Sequence, residues 1–210
     1  MKVLELFAGS RSFSKVAEEF GYETYSTDFK AFNKIDQVCD IFDFDINKIP
    51  FKPDIIWASP PCYTFSVASI GHHWTGGHRA YIPKTEQAKV GLKMVEKTLD
   101  IINKLNPKYY YIENPRGVLR KLNVVKCLSF RNTVWYCKYG DKRAKPTDIW
   151  TNDMSWIPRP VCKNGNKDCH HEAAPRGSKT GTQGLKGNYE RSKVPYDLCK
   201  EILLSIKKGD

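Results

Sequence analysis

The residues with the clearest capacity for chemistry are a cysteine that follows two prolines and a glutamate farther along the chain. Cys62 comes directly after Pro60 and Pro61, where an apolar run ends. Because proline fixes φ and restricts the residue before it, this corner should be stiff and should aim the thiol accurately. Glu113 ends a second β-rich run, just before Asn114. A nucleophile and a carboxylic acid at neighbouring strand ends suit covalent catalysis with acid assistance.

The elements that would position these residues begin with a strand, a turn, a helix and a second strand. In residues 2–7 apolar side chains alternate as in a short strand, and Gly9 marks the turn that follows. Residues 12–20 have one apolar helical face, for which a serine is the expected N-cap. Residues 23–28 read as a strand that ends in an acid. This order predicts a βαβ unit with a ligand at the carboxyl ends of its strands.

Further strands and helices extend the same alternation. Strands are predicted at 35–40, 54–58, 109–115 and 132–136, and helices at 85–105 and 195–206. The pattern predicts an α/β fold, a doubly wound Rossmann-like sheet with helices on both faces. We expect a catalytic domain over 1–150, a small irregular basic appendage with Cys and His over 151–193, and a C-terminal helix over 194–210 that packs back on the catalytic domain.

Composition narrows the class of protein. The 210 residues carry 34 Lys and Arg against 23 Asp and Glu, a formal net charge of +11, which favours a polyanionic partner such as nucleic acid. A solvated basic surface is the alternative. The 40% hydrophobic and 27% charged residues are those of a globular chain. No apolar run approaches a membrane span, and seven scattered cysteines without an export signal predict reduced thiols in a cytoplasmic protein.

Three segments, in this order, carry a family resemblance. They are 6–10 (Leu-Phe-Ala-Gly-Ser), 60–66 (Pro-Pro-Cys-Tyr-Thr-Phe-Ser) and 113–115 (Glu-Asn-Pro). The chain resembles the cytosine-C5 DNA methyltransferases, of the S-adenosylmethionine-dependent, Rossmann-like class. The resemblance covers most of the first 150 residues, and the Pro-Pro-Cys-x-x-Phe-Ser string is its most specific part.

The resemblance implies a catalytic role for each of three residues. The Cys62 thiolate would add to C6 of a flipped cytosine and make C5 nucleophilic toward the methyl group. Glu113, protonated or sharing a proton, would hydrogen-bond N3 and the exocyclic amine. Asn114 would hold the geometry of the loop.

The resemblance also implies a cofactor site around the first turn and the acids that follow it. The residues expected to bind S-adenosylmethionine are Phe7, Ala8, Gly9, Ser10, Asp28, Asp40, Ile41 and Pro60. Asp28 would accept from the ribose hydroxyls and Asp40 from the adenine amine, while Ile41 would pack against the ring. The family usually has a second glycine where this chain has Arg11.

Contacts to DNA are expected from two basic or polar segments. The long loop 63–83 resembles the family's mobile catalytic loop in position, and its Ser66 and Arg79 would close over DNA. Segment 138–145 loosely resembles a Gln-x-Arg-x-Arg motif of the family. Lys142 and Arg143 in that segment are expected to contact phosphate or the base carbonyl.

The appendage contains a candidate metal site. Cys162, Cys169 and His170 lie in a short turn-rich segment and form a plausible partial zinc site, with Cys137 or His171 able to complete it. Their spacing is not a standard zinc motif, so a turn without metal is the alternative.

The sequence therefore predicts a DNA cytosine-5 methyltransferase that acts through Cys62 and base flipping. Two alternatives stay open. One is a tRNA cytosine-5 methyltransferase with the same motifs. The other is a non-catalytic DNA-binding protein that keeps the fold, which the presence of both Cys62 and Glu113 disfavours.

Overall fold

The structure is a computed structural model that describes residues 1–77, 80–163, 165–172, 185 and 187–209. In chain order its strands are β1 (Lys2–Leu6), β2 (Glu23–Asp28), β3 (Gln37–Val38), β4 (Ile55–Ala58), β5 (Trp74–Thr75), β6 (Ile82–Pro83), β7 (Tyr109–Pro115), β8 (Phe130–Trp135) and β9 (Pro146–Thr151). Its α-helices are α1 (Ser12–Glu19), α2 (Ile70–His73), α3 (Glu86–Leu105), α4 (Asn188–Ser192) and α5 (Tyr196–Gly209).

A seven-stranded sheet organises the described residues. Its strand order is β3-β2-β1-β4-β7-β9-β8, and β5 pairs with β6 in a separate small hairpin. Strands β1, β2, β3, β4 and β7 pair in parallel, while β9 runs antiparallel to both of its neighbours. The predicted α/β fold with a Rossmann-like sheet is confirmed. Because β1, β4 and β7 are neighbours, the segments that leave their carboxyl ends emerge side by side.

Strand β9 is the main element for which the sequence pattern gave no prediction. It inserts between β7 and β8, so that Glu113 stands opposite Ile149 and Asn114 opposite Asp148. On its other side Asp148 stands opposite Thr133 of β8. The polypeptide that follows β7 therefore first makes the outer strand and then returns to pair with β7 itself.

Helices cover both faces of the sheet. On one face α1 and α5 pack together over buried residues that include Phe13, Val16, Leu198 and Ile202. On the other face α3 buries its apolar stripe, including Val95, in a second cluster. Removal of this apolar surface from water is the main stabilising contribution to the layered arrangement.

The start of α1 differs from the sequence prediction. The expected serine N-cap is wrong, since the cap position is Arg11, at φ 55°, and its side chain makes no cap hydrogen bond among the described residues. The carboxylate of Glu5, in β1, instead accepts from the amides of Phe13 (3.3 Å) and Ser14 (2.8 Å). Burial raises the pKa of Glu5, and the hydrogen bonds from Ser14 oppose this shift.

The remaining described segments connect these layers. The loop after β4 contains a short 3-10 helix (Val67–Ser69), α2 and the β5–β6 hairpin. Within the described residues, none of the helices combines the length and apolarity that crossing a bilayer requires. The division into 1–150, 151–193 and 194–210 stays a prediction.

Candidate active site

A buried hydrogen bond joins the loop after β4 to the end of β7. The side-chain amide of Asn114, which is fully buried, donates from Nδ2 to the carbonyl oxygen of Pro60 at 2.9 Å. Cys62 follows Pro60 by two residues, and Glu113 directly precedes Asn114. This contact therefore brings the predicted nucleophile and the predicted acid to the same edge of the sheet.

A glycine lets the two loops approach more closely still. The amide of Val118 donates to the carbonyl oxygen of Phe65 at 2.8 Å, just after Gly117. A Cβ added at Gly117 would lie 2.0 Å from that same oxygen, which no side chain tolerates. The loop that carries Cys62 is thus anchored at both ends to the loop that follows Glu113.

Cys62 is half-buried in this corner. The backbone carbonyl oxygen of Cys62 accepts from the amides of Phe65 (3.0 Å) and Ser66 (3.1 Å), and these hydrogen bonds fold the residues after Cys62 into a turn. Burial raises the pKa of the Cys62 thiol, the positive charge of Lys145 lowers it, and the negative charge of Glu113 raises it. The thiolate is therefore favoured by Lys145 against the effect of its apolar surroundings.

Two residues from beyond β7 contact the carboxyl group of Glu113. The Tyr136 hydroxyl donates to Oε1 of Glu113 at 2.7 Å, and Nζ of Lys145 lies 3.7 Å from the same oxygen. Glu113 is 4% exposed, so both interactions act away from bulk water. Burial and the charge of Glu113 raise the pKa of Tyr136 well above its usual value, which keeps the hydroxyl protonated as a donor.

Sequence reasoning missed both of these partners. Tyr136 appeared only as the last residue of a predicted strand, and Lys145 as the end of a loosely matching basic segment. The available signal was the alternation of Asp141, Arg143 and Lys145, which puts the two cations on one side of an extended chain. The ring of Tyr136 also lies 4.4 Å from Nζ of Lys145, a cation–π contact that fixes the pair.

Arg143 and Lys142, the two predicted contacts to substrate, have different surroundings. Arg143 is 5% exposed and forks onto the carboxylate of Asp141, with Nε 2.9 Å from Oδ1. It also donates to the carbonyl oxygens of Arg191 (3.0 Å) and Lys193 (3.3 Å). Lys142 instead has a side chain that is 80% exposed, with Nζ 3.9 Å from Oε1 of Glu172. Arg143 therefore fastens this segment to the residues before α5, and Lys142 is the accessible cation.

The turn after β1 has three left-handed residues in alternation. Phe7 (φ 56°), Gly9 (φ 47°) and Arg11 (φ 55°) curl the chain toward the end of β2. There the amide of Gly9 donates to Oδ2 of Asp28 at 2.9 Å, and the amide of Lys30 to Oδ1 at 3.0 Å. Burial raises the pKa of Asp28, and these two amide hydrogen bonds oppose the shift.

The other predicted cofactor residues lie around this turn or after β3. Ala8 is buried and its amide donates to the carbonyl oxygen of Thr27, and the Ser10 hydroxyl contacts that of Ser12. Asp40 is exposed and accepts from the amide of Phe42 at 3.0 Å, and Ile41 is buried beside it.

The hydrogen-bond acceptors of this region fit the ribose and the adenine amine of S-adenosylmethionine. Each Asp28 oxygen accepts one amide hydrogen bond, and a carboxylate oxygen has a second lone pair with which to accept from a ribose hydroxyl. The exposed carboxylate of Asp40 is a further acceptor, and Ile41 beside it is apolar and buried in the core.

Of the two loop residues predicted to contact DNA, one can be located. The Ser66 hydroxyl lies 2.9 Å from that of Ser69, and Ser66 forms an isolated backbone bridge with Gly117. Arg79 lies outside the described residues.

The predicted metal site is present as a cluster, with a different ligand set. The Sγ atoms of Cys137, Cys162 and Cys169 and a ring nitrogen of His171 all lie within 4.8 Å of one another. We call these four residues the Cys/His cluster. Burial and hydrogen bonds to Cys169 and Cys162 raise the pKa of the Cys137 thiol to about 12.

The prediction that included His170 is corrected. His170 is exposed, and its Nε2 lies 3.1 Å from the carbonyl oxygen of Asp141, away from the cluster. His171 is buried, with Nδ1 3.9 Å from Sγ of Cys162. Successive side chains of an extended segment point to opposite sides, so a single residue decides which imidazole joins the thiols.

Comparison with known proteins gives a family match over two thirds of the chain. The family model described as C-5 cytosine-specific DNA methylase matches residues 1–139. A protein of Frog virus 3 (isolate Goorha), named "Probable DNA (cytosine-5)-methyltransferase", is 29% identical over 219 residues. That similarity spans 97% of this chain and 99% of the relative.

One similar solved structure agrees with the fold, and a second is less similar in shape. One, described as a "putative DNA modification methyltransferase encoded within prophage" of E. coli, superposes with a TM-score of 0.53 at 13% identity, covering 78% of this chain and 52% of its own. Another, a Spodoptera frugiperda DNMT2 mutant, has a TM-score of 0.47 at 18% identity, with coverages of 77% and 56%. The chain thus spans about half the length of these two proteins.

Proposed function

Because the chain belongs to the C-5 cytosine-specific DNA methylase family, we propose that it transfers a methyl group from S-adenosylmethionine to C5 of cytosine in DNA, through a covalent bond from Cys62 to C6. The observation that supports this role most directly is the hydrogen bond from Asn114 to Pro60. It holds the loop that carries Cys62 against the strand end that carries Glu113. The proposed roles require a thiol at C6 and a carboxyl group at N3 of the same cytosine, so both groups must lie at one edge of the sheet.

The covalent step makes an unreactive carbon nucleophilic. The thiolate of Cys62 would attack C6, and the electron pair of the C5–C6 double bond would form a bond from C5 to the methyl group, as the methyl–sulfonium bond breaks and a neutral thioether leaves. Transfer of the C5 proton to solvent would then restore the double bond as the S–C6 bond breaks, which returns the Cys62 thiolate. Because C6 is shielded by stacking in a duplex, the target cytosine must first leave the helix.

Glu113 would stabilise the base during the attack. In its protonated form it donates a hydrogen bond to N3 and accepts one from the exocyclic amine, which favours the negative charge that the thiolate brings to the ring. Tyr136 and Lys145 both contact Oε1 of Glu113, and we propose that the proton donated to N3 lies on Oε2. Lys145 would also stabilise the Cys62 thiolate before the attack.

S-adenosylmethionine supplies the methyl group from its sulfonium centre. The residues that would hold it are the turn from Phe7 to Ser10, Asp28, the pair Asp40 and Ile41, and Pro60. Asp28 would accept from the ribose, and its two backbone amide donors fix its carboxylate before binding. Asp40 and Ile41 would accept from the adenine amine and pack against the ring.

Binding of DNA would use basic and polar residues of the loop after β4 and of the segment between β8 and β9. Lys142 is exposed enough to contact a phosphate, and Ser66 and Arg79 are proposed to contact DNA from the loop after β4. We propose that Arg143 contributes by position, since its guanidinium already binds Asp141 and two carbonyl oxygens. The net charge of +11 supports a phosphate-rich substrate.

Methyl transfer and covalent trapping test the proposal together. Labelled S-adenosylmethionine is incubated with the protein at low salt and with either duplex DNA or tRNA, and a DNA duplex containing 5-fluorocytosine is used to trap the adduct. We expect label on DNA and a covalent adduct. Cys62→Ser should form no adduct, whereas the matched control Cys127→Ser, at an exposed thiol, should behave as the wild type.

The other results of this experiment would reject the proposal in distinct ways. Label on tRNA alone would replace the DNA substrate by RNA. Absence of label and of adduct in the wild type would favour a DNA-binding protein without catalysis. An adduct that persists in Cys62→Ser would show that another residue is the nucleophile.

We propose two further properties that do not depend on methyl transfer. The first is zinc as the metal of the Cys/His cluster, whose three thiols and one imidazole are ligands that zinc accepts. The second is a cytoplasmic location, which rests on the reduced thiols expected from the sequence. Metal analysis and fractionation of expressing cells test them independently of methyl transfer.

A further inference from the structure

The Cys/His cluster has the geometry of a closed metal site. In a tetrahedral zinc site with Zn–S near 2.3 Å and Zn–N near 2.0 Å, neighbouring ligand atoms are roughly 3.5–3.8 Å apart. The four ligand atoms here lie within 4.8 Å of one another, and Sγ of Cys162 is 3.9 Å from Nδ1 of His171. A small inward movement of the side chains is enough to surround an ion on all four sides.

The ligands come from two segments that are distant in the sequence. Cys137 lies in the 3-10 helix Tyr136–Tyr139, which follows β8, and the other three ligands lie between residues 162 and 171. The backbone supports the same junction, since the amide of Glu172 donates to the carbonyl oxygen of Lys142 at 2.9 Å. An ion in the cluster would therefore clip residues 162–172 to residues 136–145.

The clipped segment is also the one that reaches the candidate active site. Tyr136, directly before Cys137, donates to Glu113, and Lys145 lies at the other end of the same connection beside the same carboxyl oxygen. Arg143, between them, forms a backbone bridge with Glu172. Fixing Cys137 and the 162–172 segment thus restrains both groups that contact Glu113.

We infer that Cys137, Cys162, Cys169 and His171 bind one zinc ion, and that this ion positions Tyr136 and Lys145 against Glu113. The second part of this inference rests on the proposed function, and the first part does not. A disulfide between two of the three cysteines is the competing explanation of their proximity, but it gives no reason for a buried imidazole beside them.

Metal content of the full chain, purified under reducing conditions without added metal, tests the site itself. We expect about one zinc ion per chain in the wild type, as a closed four-ligand site requires. Cys162→Ser and His171→Ala should lose the metal, while the controls Cys127→Ser, at an exposed thiol, and His170→Ala should keep it. Cobalt added to zinc-free protein should give the visible absorption of a tetrahedral thiolate site in the wild type and in both controls.

Three results would overturn the metal assignment. One is a wild-type chain without zinc that also shows no cobalt absorption. Another is equal metal in His170→Ala and His171→Ala. The third is a chain mass that is lower by two hydrogens under reducing conditions, with two thiols missing from titration, which would establish a disulfide.

The positioning role is tested by comparing two activities of the same metal-depleted protein. Methyl transfer should fall by roughly 10²-fold, the size of effect expected when a catalytic group is displaced by about 1 Å, and should return on addition of zinc. Binding of S-adenosylmethionine, which is proposed to use the turn after β1 and Asp28 and none of the four metal ligands, should be unchanged. Full methyl transfer without metal would overturn this role. Absence of transfer in the zinc-loaded wild type would instead reject the proposed function, and the metal content would still decide the site.

Discussion

Asp28 and Glu113 occupy comparable positions in the sheet but are held by different means. Each lies at the carboxyl end of a strand, and their exposures are 8% and 4%. Asp28 accepts from two main-chain amides, those of Gly9 and Lys30. Glu113 is contacted by two side chains, Tyr136 and Lys145, which come from beyond the strand that carries it.

The contacts of Asp28 come from the backbone of the βαβ unit that contains it, whereas the contacts of Glu113 form only when the strands beyond β7 have joined the sheet. A carboxylate held by amides keeps its position when neighbouring side chains change, because every residue except proline supplies an N–H. A carboxylate that is held by the side chains of a tyrosine and a lysine loses one of its two contacts when either residue is substituted. We therefore expect the Glu113 side to be sensitive to single substitutions and the Asp28 side to be tolerant around its acid.

The largest effect is expected from Glu113→Gln. The amide keeps the shape of the side chain but cannot supply a proton to N3, so kcat should fall by roughly 10²–10⁴-fold. Single-turnover methyl transfer measures this loss, and thermal unfolding checks that the fold is retained. A variant with native stability and a kcat within a few-fold of wild type would remove Glu113 from the chemistry.

A smaller effect, with a distinctive pH dependence, is expected from Lys145→Met. Burial already raises the pKa of Cys62, and loss of the Lys145 charge should raise it further. The thiolate then forms at higher pH, so the rising limb of the plot of kcat/KM against pH should shift to higher pH. The value of kcat/KM should be about tenfold lower than in the wild type at neutral pH and should recover in alkali. If the profiles of variant and wild type are parallel at every pH, Lys145 does not act on the thiol.

Asp28→Asn should affect binding more than chemistry. It replaces an acceptor-only carboxylate by an amide, which weakens hydrogen bonds to the ribose by about 1–2 kcal/mol, or roughly 5–30-fold in Kd for S-adenosylmethionine. The value of kcat at saturation should stay near that of the wild type. Calorimetry gives the Kd. Unchanged affinity would place the ribose elsewhere.

The smallest effect is expected from Lys30→Ala, the matched partner of Lys145→Met. Lys30 contacts Asp28 through its amide, which alanine retains, and its own side chain is exposed. Affinity for S-adenosylmethionine should stay within about twofold of wild type, the size expected for an exposed charge. A loss as large as that of Asp28→Asn would mean that side chains, not amides, hold both carboxylates.

The parts of the fold that are continuous in sequence were predictable. The strand and helix patterns around Gly9 and the run that ends at Glu113 have the expected periods, and their motifs follow the strand ends directly. The position of Cys62 beside Glu113 followed from the rule that ligands gather at the carboxyl ends of parallel strands.

Features that depend on pairing between distant segments were not predictable. The cap of α1 by Glu5 requires the tertiary position of β1, and no local pattern signals it. The contacts of Tyr136 and Lys145 with Glu113 require β9 to lie next to β7. Whether His170 or His171 joins the thiols depends on which of two successive side chains points toward them, and the spacing of the residues in the sequence does not decide this.

The insertion of β9 between β7 and β8 also sets a condition on folding. Until β9 pairs, the strand that carries Tyr-Tyr-Tyr-Ile has one open edge, and open apolar edges promote association between unfinished chains. During synthesis this interval lasts from the emergence of β7 to that of β9, when Cys62 and Glu113 are already made. The chain therefore completes the two residues proposed to react before it can assemble the side chains that surround them.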